Sequence, residues 1–396
     1  LEIAFKAKAE GVVPSGRISR LNSTQPSLKQ QAWDSEEAIV VTSQRIQAVV
    51  LVDEDLGKSE ISELWADGDV SMIQGKDRQD VEQRVLQGDR VHVKNTGQGN
   101  QLMRLDGKPA LIRDNDAEIK GQTVFINRAK NLVWVEGSGQ LGLPIDRDFE
   151  GNKLATPQPL RIEWNEQMTF DGKVGQFFGR VVATVGFEGS DNSRRQSTRV
   201  VDKAKQADGY FKHSLRCHEM RVDLNKRISF LDDKIETTTT EIRQIVCRDA
   251  VEIDSYEYSM DDELIGVRKA SVGVFSINLV TGLSEANGPG TLIDWYSRQA
   301  KQRRVSFAKS VVAQSNQPLE ATSSEWEYTK ITFTGKAIGH IKKKETRLND
   351  QVHVVYGPVD RLGDTIDPEN LPRDAGEVFC DVFHINQRVN KDKKEI

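Results

Sequence analysis

Strict alternation of apolar and polar residues recurs along this chain, and it confines the backbone to extended structure. In Arg90-Val91-His92-Val93-Lys94 the two valines fall on one face and the three polar residues on the other. Leu160-Arg161-Ile162-Glu163-Trp164 repeats the pattern, and within 218–224 Met220, Val222 and Leu224 oppose Glu219, Arg221 and Asp223. A side-chain period of two is that of a strand with one dry face and one wet face. No segment sustains a 3.6-residue period with caps at both ends, so an all-β fold is expected.

Glycines and Asn/Asp turns punctuate the strands. Gly68, Gly88, Gly107, Gly121 and Gly137 follow one another at separations of 20, 19, 14 and 16, with Gly179 beyond them and the turn-like Asn127-Arg128-Ala129-Lys130-Asn131 segment between Gly121 and Gly137. The phrase "apolar run, acidic residue, glycine" occurs at Leu105-Asp106-Gly107 and again at Val135-Glu136-Gly137. Such steps fit a tight bend or bulge, and they predict places where the chain crosses from one strand to the next. Each repeat is then a strand pair plus a turn of variable length. Two polar stretches interrupt the rhythm and divide the chain into a first β module at 1–188, a linker or long loop at 189–210, and a second module at 211–396 with an insertion at about 297–325.

With Lys+Arg 55 against Asp+Glu 60, the formal charge of -5 argues against affinity for nucleic acid built on phosphate neutralisation. No run of about 18 apolar residues exists to cross a bilayer as a helix. The chain opens on Leu-Glu-Ile and reads as a piece of something longer or a processed product, whose export signal would lie upstream. Cys217, Cys247 and Cys380 each sit in a strand-like run. They read as small buried apolar residues; a Cys217–Cys247 bridge between neighbouring strands is the alternative in an oxidising compartment.

Catalytic and metal motifs are not expected here. His213, Cys217 and His218 have the only conceivable ligand spacing, but in an extended chain His218 points away from the other two, so no metal or cofactor follows. Asp232-Asp233 and Asp261-Asp262 lie in polar, turn-like surroundings that suit solvated loops better than a catalytic pair. Basic runs at 298–304, 342–344 and 391–394 read as solvated faces; Arg298, Lys301, Arg303 and Arg304 are the candidates for an anionic head group.

The ordered succession LWADGDVSM, GDRVHVKN, LMRLDGKPALI, AEIKGQTVFIN and LVWVEGSGQL resembles the OstA-like repeats of periplasmic lipopolysaccharide-transport proteins. It is closest over 63–141, looser over 160–185 and 215–287, and faint at 331–340 and 377–386. The resemblance implies open β-jelly-roll repeats, here two tandem modules with solenoid-like stacking of strands, whose apolar interior carries acyl chains. It implies a non-enzymatic protein of the periplasm or cell envelope of a Gram-negative-type bacterium. Its partners would be lipopolysaccharide or another anionic amphiphile, and further jelly-roll transport components joined by edge-strand addition, with head-to-tail self-association as an option. Family members forming the periplasmic bridge are roughly half this length, hence the reading as two modules or a slice of a larger protein. By alternation the groove candidates are Val91, Val93, Met103, Leu105, Ile119, Val124, Ile126, Ile162, Trp164, Met168, Phe170, Met220, Val222 and Leu224. A structural or adhesive surface β-solenoid with a closed core is the alternative, and a carbohydrate-active β-helix enzyme the third.

Overall fold

The computed structural model describes residues 2–6, 38–53, 58–74, 84–96, 100–114, 117–147, 153–186, 210–228, 241–259, 261–298 and 325–386. The protein is all-β: the described residues form twenty strands and two single 3-10 turns, and every described pairing is antiparallel. Most of the linker at 189–210 and the insertion at 297–325 lies outside the described residues. Contact divides the chain into unit 1, comprising Leu1–Pro144, Arg161–Val181 and Arg221–Glu241, and unit 2, comprising Ile145–Leu160, Val182–Met220 and Ile242–Ile396.

Unit 1 is an antiparallel meander. Its long strands β4 (Lys58–Gln74), β5 (Arg84–Asn95), β6 (Gln101–Asp114), β7 (Ala117–Asn127) and β8 (Leu132–Arg147) pair in succession. β10 (Gln167–Phe170) pairs with β8 and then with β11 (Val174–Val185). At the other side β4 takes two shorter partners, β2 (Ala38–Thr42) along its second half and β3 (Arg45–Asp53) along its first, while β1 (Glu2–Lys6) pairs with β2.

The glycine steps do not separate strands. Gly68 lies within β4, Gly107 within β6, Gly137 within β8 and Gly179 within β11, so the expectation of a strand-to-strand crossing at each step is corrected. Each is a mid-strand irregularity. Register breaks fall between Asp67 and Val70, Gln87 and Arg90, Asp106 and Ala110, and Gly121 and Thr123, on strands that are neighbours. An extra residue in a strand bends it and sharpens its twist, and aligned bulges put one crease across the sheet. Gly68 and Gly137 sit there at φ +81° and +80°, a conformation that costs an L side chain energy.

One asparagine ties three turns of unit 1 together. The Asn127–Asn131 segment joins β7 to β8, and Asn131 at φ 52° donates through Nδ2 to the carbonyls of Asp171 (3.0 Å) and Ile228 (2.8 Å). Ile228 N–H also donates to Gly172 O at 2.7 Å. Asn131→Ala removes both donors and leaves two carbonyls without them, so urea unfolding of the variant should show a loss of about 1–3 kcal/mol.

Unit 2 follows the same plan with interrupted strands. β13 (Ile242–Tyr258) pairs with β14 (Leu264–Asn278), with a register break between Arg248 and Val251. One edge of β14 is then met by two strands in line, β15 (Leu283–Asn287) and β16 (Gly290–Ser297). These pair in turn with β18 (Lys336–His340) and β17 (Trp326–Phe333), and both of those with β19 (Glu345–Val359). β20 (Gly376–Asn386) pairs with β19 across a break between Asn349 and Val352. Here the irregularity has become an outright gap in two strands, occupied by Gly288-Pro289 and Thr334-Gly335.

Candidate functional site

Strand register turns the alternation of unit 1 into continuous apolar rows. On one side of the crease Leu64, Val93, Met103, Ile126, Val133 and Phe170 are successive cross-strand partners. Two residues along each strand runs a second row, Ala66, Val91, Leu105, Val124, Val135, Met168 and Phe177. It crosses seven strands, roughly 29 Å at about 4.8 Å per strand. Beyond the crease a third row joins Val41, Met72, Leu86, Ile112, Ile119 and Leu141.

The rows differ in how far they reach solvent. Leu105, Val91, Val124 and Val135 are 0% exposed, and Met168 and Phe177 are 1%. In the third row Val41 and Met72 are buried, whereas Leu86, Ile112, Ile119 and Leu141 are only half-buried. The apolar lining is therefore shut on one side of the crease and looser on the other.

Of the fourteen predicted groove residues, unit 1 holds thirteen, and Met220 belongs to unit 2. Val91, Val93, Met103, Leu105, Val124, Ile162, Trp164, Met168, Met220, Val222 and Leu224 are buried; Ile119, Ile126 and Phe170 are half-buried. Trp164, at the end of β9 (Lys153–Trp164), fills space beside the crease rather than lining an open wall. Its indole lies where a Cβ on Gly139 would go, its Nε1 donates to Gly137 O at 3.1 Å, and its ring meets Phe177 at 5.4 Å. Val41, Leu64, Ala66, Met72, Leu86, Ile112, Val133, Val135, Leu141 and Phe177 complete the rows, and the sequence candidates do not include them. Only the pairing register reveals them.

A hollow of about 770 Å³ opens along the crease, with Asp89, Asp106 and Glu163 beside Lys108 and Lys120 in its wall. Its mixed charge does not suit an anionic head group. Arg298, the one head-group candidate among the described residues, has its guanidinium 3.8 Å from the Glu327 carboxylate. Lys301, Arg303 and Arg304 lie outside the described residues.

In unit 2 the row Val267, Trp295, Tyr328 is covered by the connection from β19 to β20. Ile366 of that connection is 7% exposed and packs with Val355 and Val359 into the same cluster. Trp295 Nε1 donates to Asp364 O at 2.9 Å, and Gly357 leaves room for Ala375 and the Ile366 Cδ1. Burial raises the Tyr328 phenol above its ordinary range. Ile366→Ala should cost about 2–4 kcal/mol in urea unfolding and make the 360–375 connection more open to protease, since Ile366 is the buried branched side chain that this connection adds to the cluster.

The other sequence candidates are dispersed. His213 and Cys217 are buried on one face of β12 (Tyr210–Leu224) while His218 is exposed on the other. Asp261 and Asp262 are exposed, with Asp262 accepting from Tyr210 OH at 3.1 Å, and Asp232-Asp233 lie outside the described residues. No family model, curated protein or solved structure matches the chain.

Proposed function

We propose that unit 1 binds an amphiphile along its apolar rows and passes it on without chemistry, lipopolysaccharide being the class its OstA-like repeats suggest. The supporting observation is the third row, continuous over six strands yet half-buried at Leu86, Ile112, Ile119 and Leu141. Contacts of this kind are non-directional, and each methylene moved out of water contributes about 0.8 kcal/mol. An alkyl chain held this way can slide along the row, because neighbouring positions offer similar surroundings. The working site is then the periplasm or cell envelope.

The strand edges suit joining to further modules. β3 pairs with β4 alone among the described residues and carries Ile46 and Ala48 opposite Ala66 and Leu64, so it extends both buried rows. Its Val49, Val50, Leu51 and Val52 are exposed, and an unpaired edge of this kind takes an added strand. Another transport module or a second copy of the chain would continue the rows there.

A closed structural solenoid is the competing reading, and it is favoured by the near-complete burial along the second row, at most 1% exposed. Photoreactive residues separate the two. Placed at Ile119 or Leu141, they should crosslink lipopolysaccharide in detergent-free buffer, whereas one at Gln140 on the opposite face should not. Equal labelling at Ile119 and Gln140, or none at either, would favour the closed solenoid.

A further inference from the structure

In unit 2 the two buried cysteines are neighbours. β12 lies alongside β13, as shown by Arg216 bridging to Glu252 (2.9 Å) and Asp254 (2.8 Å), Arg248 to Glu219 (2.9 Å), and Tyr210 stacked on Tyr258 at 5.1 Å. Between these contacts Cys217 and Cys247 share the inner face, 6% and 0% exposed, and their thiols are in hydrogen-bonding contact. Both are reduced in this structure. Cys380, half-buried on β20 opposite Val352, is the third free thiol.

We propose that Cys217 and Cys247 become joined by a disulfide when the chain folds in an oxidising compartment. The pair is already juxtaposed across adjacent strands, so the bond requires local adjustment of side chains rather than refolding. The oxidant is a disulfide, either an oxidoreductase or a small-molecule disulfide. One cysteine thiolate attacks it to form a mixed disulfide and release one thiol; the second thiolate attacks the protein sulfur of that intermediate and releases the other. The pair gives up two electrons and two protons, and the oxidant's S–S bond becomes two thiols.

The timing follows from the surroundings. Contact with Cys217, and then burial, hold the Cys247 thiol well above its ordinary range, which keeps it from acting as a nucleophile in the finished core. With Cys217 6% and Cys247 0% exposed, neither sulfur is open to a disulfide oxidant in the finished core, so the bond forms while β12 and β13 are still open to solvent and is afterwards sheltered from reductants.

The inference stands apart from the amphiphile reading, and its test needs no lipid. The full chain is refolded with glutathione disulfide and glutathione, or with dithiothreitol, then denatured, alkylated and digested without reduction. Expected from the oxidising buffer is a Cys217–Cys247 linked peptide with Cys380 alkylated. The urea midpoint should exceed that of the reduced chain by on the order of 1 M, and the C217A/C247A chain should have one midpoint in both buffers. Alkylated Cys217 and Cys247 from the oxidising buffer, a linkage through Cys380, or a wild-type midpoint indifferent to the buffer would overturn the proposal.

Discussion

Val124→Asp should unfold unit 1. Val124 is 0% exposed and sits in the middle of the second row, between Leu105 on one neighbour and Val135 on the other. A carboxylate there has no basic partner among its cross-strand neighbours, so it must either be buried charged or take up a proton, and the methyl packing is lost in either case. The combined penalty is at least about 4 kcal/mol, a large part of the roughly 5–15 kcal/mol that keeps a domain folded. Phe125, one residue along, gives the contrast. It faces the other way, stacks on Trp134 at 4.5 Å and lies under Arg104 at 5.4 Å. Phe125→Ala should cost only about 1–2 kcal/mol, the worth of a half-buried aromatic pair with a cation above it. Urea unfolding and limited trypsin digestion read both variants. Equal destabilisation would mean that the inner and outer faces of β7 have been assigned wrongly.

Such a contrast between adjacent residues is legible in the sequence, because alternation reports which side of a strand is dry. The identity of the neighbours is not. Val124 and Val135 lie on the two strands of one hairpin, but Met168 joins their row from a strand that follows β9, and nothing local in its segment says so. The glycine steps illustrate the complementary difficulty. Asp106-Gly107 has the composition of a turn, and a bulge uses the same residues for the same reason, relief of a backbone that must leave the regular β region. Only the partner strand distinguishes them: β7 continues its pairing with β6 on both sides of the step, from Leu102↔Asn127 to Asp114↔Ala117. The cover over unit 2 is equally hidden. Ile366 is an isolated apolar residue in an acidic, proline-containing loop, a pattern that gives no sign of burial. A pairing that recurs in both units is no more visible: His92 with Glu63 and Trp65, and His353 with Glu377 and Phe379, each imidazole bonded to a carboxylate and stacked on a ring. Each histidine is 24 residues or more from its carboxylate, and sequence spacing cannot bring them together.

Ile119→Glu should abolish most amphiphile binding while leaving the fold standing. Ile119 occupies the third row between Ile112 and Leu141 and is half-buried, so a glutamate there can turn its carboxylate to solvent at a modest cost in stability. An alkyl chain lying along the row would meet that charge and its bound water instead of a methyl surface. Losing contact over about three methylenes removes roughly 2.4 kcal/mol, equivalent to about a fiftyfold rise in Kd. Gln140→Glu supplies the matched control. Gln140 precedes Leu141 and pairs with Lys120 on the opposite face, and the change adds the same charge with almost no change of shape. It should leave binding of a fluorescent lipopolysaccharide within a factor of two or so, and Ile119→Leu, which conserves volume, should do the same. If Ile119→Glu and Gln140→Glu bind the probe equally well, with unaltered circular dichroism, the third row carries no lipid and its apolar residues serve only to pack the crease.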